Sequence, residues 1–239
     1  PDAILAAGLL EGWNGHMDRE CIQASVYAAA RTRIYAEVIA HMLGDMATEG
    51  LSAASGIGRG AATHLGQLGA RAMTAMARDD ASVLPPGRNW AAVLEDALAG
   101  AVRLLKDRCS DNPEDWVWGT MHHTRPRHPL SRLFPEMAKQ LDPPGIAAHG
   151  DSDTPLAGGY AMSAPFTSIL MSVNRYIQDP SDWTNSRWIV PLGASGHPGS
   201  PHYADQRERW ADVETVPQLW DWNDIEAAAE STQQLEPKT

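Results

Sequence analysis

Six apolar residues at four-residue spacing, Ile22, Val26, Ala30, Ile34, Val38 and Met42, dominate the first quarter of the chain. Four residues advance a helix by slightly more than one turn, so neighbouring members stack into one apolar stripe that must be buried against something. Gly44 follows where a C-cap is expected. After the glycine-rich run Gly56-Ile57-Gly58-Arg59-Gly60 comes a second row, Leu65, Leu68, Ala72 and Met76. Pro85-Pro86-Gly87 interrupts it. Asn89 then occupies an N-cap position ahead of Trp90, Val93, Leu94, Ala97, Leu98, Ala101, Val102 and Leu105. These rows are read as the helical core.

The pattern changes from Asp111 onward, where Pro and Gly become frequent and Trp accumulates. Ser168–Val173 and Trp188–Val190 are short apolar runs between turn signals, which predicts strands, with Asn174–Ile177 continuing the first. Ser200 followed by Pro201 predicts an N-cap and a helix from Pro201 to Trp210. A further helix is expected after Asn223, with Glu226 completing a capping pair. Helices first and strands later predict an α+β class. Residues 1–110 form the mostly helical region and 111–239 the α+β region of one structural unit.

With 239 residues, 43% of them hydrophobic, and nine Trp, the chain has material for a globular core. A net charge of -11 with dispersed carboxylates argues against a nucleic-acid partner. No run approaches the ~20 apolar residues of a membrane span, and the first residues do not resemble an export signal. Cys21 opens one helical pattern and Cys109 closes another, so two unpaired thiols are expected.

Three local patterns invite chemistry. Gly56–Ala61 has the glycines of a dinucleotide loop, but Glu49–Ser55 supplies no strand before it, so a helix connector is expected. His122, His123 and His128 form the densest histidine group. Neighbouring histidines diverge on any regular element, and no Cys or carboxylate stands at zinc spacing. Ser195 in Gly193-Ala194-Ser195-Gly196-His197 breaks the nucleophile-elbow pattern at its last position, so a turn is expected. No cofactor and no metal are predicted.

Longer patterns carry a resemblance. Trp118-Gly119-Thr120-Met121-His122 with His128-Pro129-Leu130, and Arg175–Asp179 with Asp182-Trp183-Thr184-Asn185-Ser186, resemble stretches of the penicillin acylase (penicillin amidase) family. The most specific is Gly193–Gln206 with Trp210 beyond, which resembles G-x-S-G-x-P-x-S-P-H-Y-x-D-Q…W. Leu10–Gly15 resembles the family's L-x-x-W-x-G entry to its helical region.

The resemblance implies an N-terminal-nucleophile amidohydrolase, with the helices and strands here completing an αββα sandwich. It implies a precursor that cuts itself to expose a Ser whose α-amino group is the base, with an Asn among the oxyanion donors. Pro1 has no such side chain, and the family's Asn and calcium ligands belong to earlier segments. No catalytic, cofactor or metal residue is therefore assigned, and the chain is expected to be the C-terminal part of a β-chain, inactive alone. Its expected partners are the α-chain and the earlier β-chain, without which it should self-associate; the family suggests a periplasmic or secreted location. Ser200 is expected to cap a helix, with Ser195 and His202 as turn residues. Two other functions compete: a stand-alone Trp-rich binding domain, and a metal enzyme using His122, His123 and His128.

Overall fold

A computed structural model describes residues 1–47, 69–160, 166–168 and 170–237. The glycine run at 56–61, with Leu65 and Leu68 of the second apolar row, lies outside the described residues. Among the described residues the first half contains helices α1 (Asp2–Leu10), α2 (Ile22–Leu43), α3 (residues 69–77) and α4 (Trp90–Arg108).

Helix α2 is the centre. Val26, Ala30, Ile34 and Val38 are buried as their spacing predicts, while Met42 in the last turn is exposed. Ala24, Ala28 and Ala29 are buried as well, because α2 is covered on more than one side. Helix α4 packs along one flank, and the short helix α5 (Trp118–Met121) meets another. Gly44 closes α2 at φ 54°, a conformation that favours glycine. Asn89 caps α4, its Oδ1 accepting the Ala92 N–H at 2.9 Å. Helix α1 packs on both α2 and α4. Its apolar residues are nearly continuous rather than periodic, so no stripe announced it.

Among the described residues the strands follow Ala157 and form two small antiparallel sheets. In one, β1 (Gly158–Gly159) pairs with β2 (Leu170–Met171), Gly158 opposite Met171. In the other the order is β3 (Arg175–Ile177), β4 (Arg187–Ile189), β5 (Val216–Pro217), with Tyr176 opposite Trp188 and Trp188 opposite Val216. Mixed helices and small sheets are an α+β arrangement.

Three expectations need correction. The segment Arg175–Ile177 does not continue the strand at Leu170–Met171; it starts a different sheet. Between them Ser172 extends the β1–β2 ladder by one rung, its N–H donating to Ala157 O (3.1 Å), while its carbonyl accepts Trp210 Nε1–H (2.9 Å). The helix expected from Pro201 begins later, as α7 (Arg207–Ala211), after α6 (Ala138–Leu141). Ser200 Oγ accepts the His202 N–H (3.1 Å) and so closes a turn instead of capping a helix. Helix α8 (Trp222–Ala228) is capped by Asp221, which accepts the Asn223 N–H at 2.9 Å. Glu226 reaches the Trp222 indole N–H (2.8 Å) rather than the cap backbone.

Candidate functional site

The most buried polar centre lies where α2 meets the turn before β1. Arg31 Nη2 donates to Asp151 Oδ2 (2.5 Å) and Tyr160 Oη (3.0 Å), and Nη1 to Asp153 Oδ2 (3.2 Å). The guanidinium carbon sits 5.3 Å from the Tyr27 ring centre and 5.7 Å from that of Tyr35. Burial alone would lower the Arg31 pKa; the surrounding phenols and Asp151 outweigh it and hold the pKa above its ordinary value. The second Asp151 oxygen accepts the Ser152 N–H (2.5 Å). Both Arg31 Nη atoms and both Asp151 oxygens are engaged, so this centre locks α2 to the β1 turn. Arg31 was missed in the sequence, yet a signal exists: Tyr27, Arg31 and Tyr35 form their own row at four-residue spacing.

Beside it stands the Trp118–His122 motif. Both residues are fully buried. Their rings stack with centroids 4.5 Å apart and 9° between planes, and Phe166 meets Trp118 edge-on. Trp118 Nε1 donates to Gly150 O (2.9 Å), and His122 Nδ1 lies 2.8 Å from Phe166 O, which places the imidazole proton on Nδ1. Burial pushes the His122 pKa down, against the pull of the Phe166 carbonyl. His122 Nε2 has no partner and faces Gly158, where a Cβ would lie 2.6 Å away. Gly119 is needed because its N–H reaches Arg19 O at 2.6 Å, and a Cβ would lie 2.7 Å from that oxygen.

The histidine group is divided among separate tasks. His128 Nδ1 accepts the Leu130 N–H (3.2 Å), and the His128 N–H donates to Asp142 Oδ1 (2.8 Å). His123 lends its carbonyl to the Ser168 N–H (3.0 Å). Among the described residues no group of three His, Cys, Asp or Glu side chains is placed to hold a metal ion. Cys21 and Cys109 are half-buried and unpaired, at the start of α2 and the end of α4.

The Asp179–Ser186 stretch is a turn that satisfies itself. Asp179 Oδ1 accepts Ser181 N–H (3.0 Å) and Ser181 Oγ–H (2.5 Å), Oδ2 accepts Asn185 Nδ2–H (3.2 Å), and Asp182 Oδ1 accepts Thr184 N–H (2.9 Å). The hydrogen bond from Ser181 is foremost in lowering the Asp179 pKa. It delivers Arg187 into β4.

Among the described residues, the Gly193–Gln206 loop holds an arrangement that resembles a triad. His202 Nδ1 is 2.8 Å from Asp205 Oδ2, and Nε2 is 3.0 Å from both Glu230 oxygens. Both ring nitrogens face carboxylates, so the ring is an imidazolium, and Asp205 followed by Glu230 raises its pKa to about 9. Ser195 Oγ is elsewhere, accepting the His197 N–H at 3.2 Å. A general base needs a free nitrogen pointed at the nucleophile; His202 has none. Gly193 permits the loop's closure, since a Cβ would lie 2.1 Å from His202 O. Tyr203 Oη donates to Leu141 O (2.5 Å), and Gln206 joins both sides of the loop through Leu192 O (2.8 Å) and the Val190 N–H (3.2 Å).

The chain is similar to known proteins. A penicillin amidase family model matches residues 2–227. Penicillin acylase 2 proenzyme of Pseudomonas sp. (strain SE83) is 38% identical over 228 residues, or 95% of this chain and 28% of its own length. Acyl-homoserine lactone acylase QuiP of Pseudomonas aeruginosa is 27% identical over 137 residues, 53% of this chain and 16% of its own. The protein of that name from Pseudomonas putida is 26% identical over 126 residues, covering 53% of this chain and 15% of its own. The chain thus spans little more than a quarter of the first relative's length. A family match across nearly all its residues, with a relative 38% identical over 95% of the chain, means that the chain belongs to the penicillin amidase family.

Proposed function

We propose that these residues are the scaffold of an amidohydrolase that transfers an acyl group from a linear amide to water, with the reacting groups outside them. The observation that carries this reading is His202, whose two nitrogens are held by Asp205 and Glu230 while Ser195 turns away. The names of the relatives, penicillin acylase and acyl-homoserine lactone acylase, support amides that join an acyl group to a larger amine.

In this reading the nucleophile is a Ser, Thr or Cys with a free α-amino group, contributed by another segment of the same precursor. Its amine, with a pKa near 8, takes the proton as the hydroxyl or thiol attacks the carbonyl. The helical region 1–110 and the α+β region 111–239 act as one unit, and the two sheets extend an αββα sandwich. Exposed Val173, Tyr176 and Ile177 on and before β3 support that extension, since apolar strand faces seek cover.

The test is a hybrid in which this chain replaces the matching 28% of penicillin acylase 2 proenzyme. The hybrid should process itself and hydrolyse its amide, and Ser195→Ala and His202→Ala should leave turnover per folded molecule nearly unchanged. A folded hybrid that never processes would contradict the reading. So would a fall of about a thousandfold in either variant, the size expected for loss of a catalytic group.

A further inference from the structure

Between the His128 turn and the Gly193–Tyr203 loop lies an open cleft of ≈ 360 Å³. That volume falls in the ~300–1,000 Å³ range of small-molecule sites. Pro126, Pro129, Pro143, Leu192 and the Tyr203 ring give it apolar walls. Prolines and a ring anchored through Tyr203 Oη to Leu141 O make those walls stiff, so little order must be imposed on binding.

The charge of the cleft runs against that of the chain. The net charge is -11, yet the lining contains the cation Arg127 and no carboxylate. Arg127 is exposed and forms no ion pair with any described residue. Asp142 feels its charge but is held by Ser131 and the His128 N–H (2.8 Å). Because His128 Nδ1 accepts the Leu130 N–H, its ring proton sits on Nε2. Elsewhere in the loop Ser195 Oγ accepts the His197 N–H, and Asp205 holds His202.

We propose that this cleft binds a small carboxylate with an apolar body, the carboxylate on Arg127 and the body against the proline walls. A guanidinium matches a carboxylate with two parallel N–H···O bonds, and the walls supply the apolar contact. The proposal does not depend on where the amide chemistry resides.

Benzoate tests it. Titrated into the full chain at low ionic strength and followed by NMR, benzoate should shift Tyr203 and His128 resonances saturably. Benzamide, with the same ring and no charge, should bind at least ~tenfold more weakly, as should benzoate to Arg127→Gln. The melting temperature of that variant should match the parent, since Arg127 is exposed. Equal binding of benzamide and benzoate, unchanged affinity in Arg127→Gln, equal competition by inorganic phosphate, or no saturable shift would each overturn the proposal.

Discussion

Arg175 sits over the Trp210 ring, its guanidinium carbon 4.4 Å from the ring centre, and Nη1 donates to the Trp210 carbonyl at 2.6 Å. One side chain thereby ties β3 to α7, and the Trp210 indole, bonded to Ser172 O, ties α7 back to the segment before β3. Trp210→Ala should cost about 3–5 kcal/mol in urea unfolding, because it removes a buried ring and leaves a cavity. Arg175→Lys should cost less, about 1–2 kcal/mol, losing the guanidinium over the ring but keeping a charge. Equal losses in the two variants would contradict the geometry.

The Arg31–Asp151 pair should behave as a buried ion pair. Asp151→Ala strands the Arg31 charge in the interior and should cost about 3–5 kcal/mol. Replacing both residues with apolar ones should cost clearly less than the sum of the single losses. Additive losses in a double-mutant cycle would show that the two act independently.

Two histidines should give opposite pH dependences of stability. The His122 pKa is lowered by burial, so its contribution is complete above the ordinary value of about 6.5 and is lost as pH falls through the lowered one. The His202 pKa is raised to about 9, so its contribution is complete below the ordinary value and is lost as pH rises through about 9. In pH-dependent unfolding, His122→Phe should flatten the acid limb and His202→Gln the alkaline limb. An unchanged limb in either variant counts against the corresponding contacts.

Gly193→Ala should destabilise the chain by about 1–3 kcal/mol, since the new methyl must displace the His202 carbonyl. Gly196→Ala, with open space around it, should cost under about 0.5 kcal/mol. Thermal melts of the pair separate close packing at Gly193 from general loop stiffness.

Helices with a strict apolar period were legible in the sequence. Ile22–Met42 and Trp90–Leu105 lie where their spacing put them, because burial on one side repeats with the helical turn. Helix α1 escaped notice, since continuous Ala and Leu mark no side. The strands were harder: at two or three residues each, their ends are set by single hydrogen bonds such as Ser172 N–H to Ala157 O, which no local pattern encodes. The helix forecast at Pro201 failed for a related reason. Ser200 is as good a turn former as a cap, and the choice depends on Ser195, Leu192 and Gln206 closing the loop. The family pattern was fully legible, but not its content. That Asp205 and Glu230 would both grip His202 depends on a contact spanning 28 residues.

Exposed Leu133, Val173, Ile177 and Trp222 should make the isolated chain self-associate. Light scattering across concentrations should show mass rising with concentration, and a constant monomer mass would contradict this.

Turnover of acyl amides by the purified 239-residue chain tests the central claim most directly. The claim is that Ser195, His202 and Asp205 hold a loop rather than a reaction. Hydrolysis of a chromogenic phenylacetyl anilide and of a longer acyl amide should not exceed buffer, and Ser195→Ala and His202→Ala should change nothing. Turnover above buffer that vanishes in either variant, with the fold intact, would place the chemistry in this loop and contradict the account.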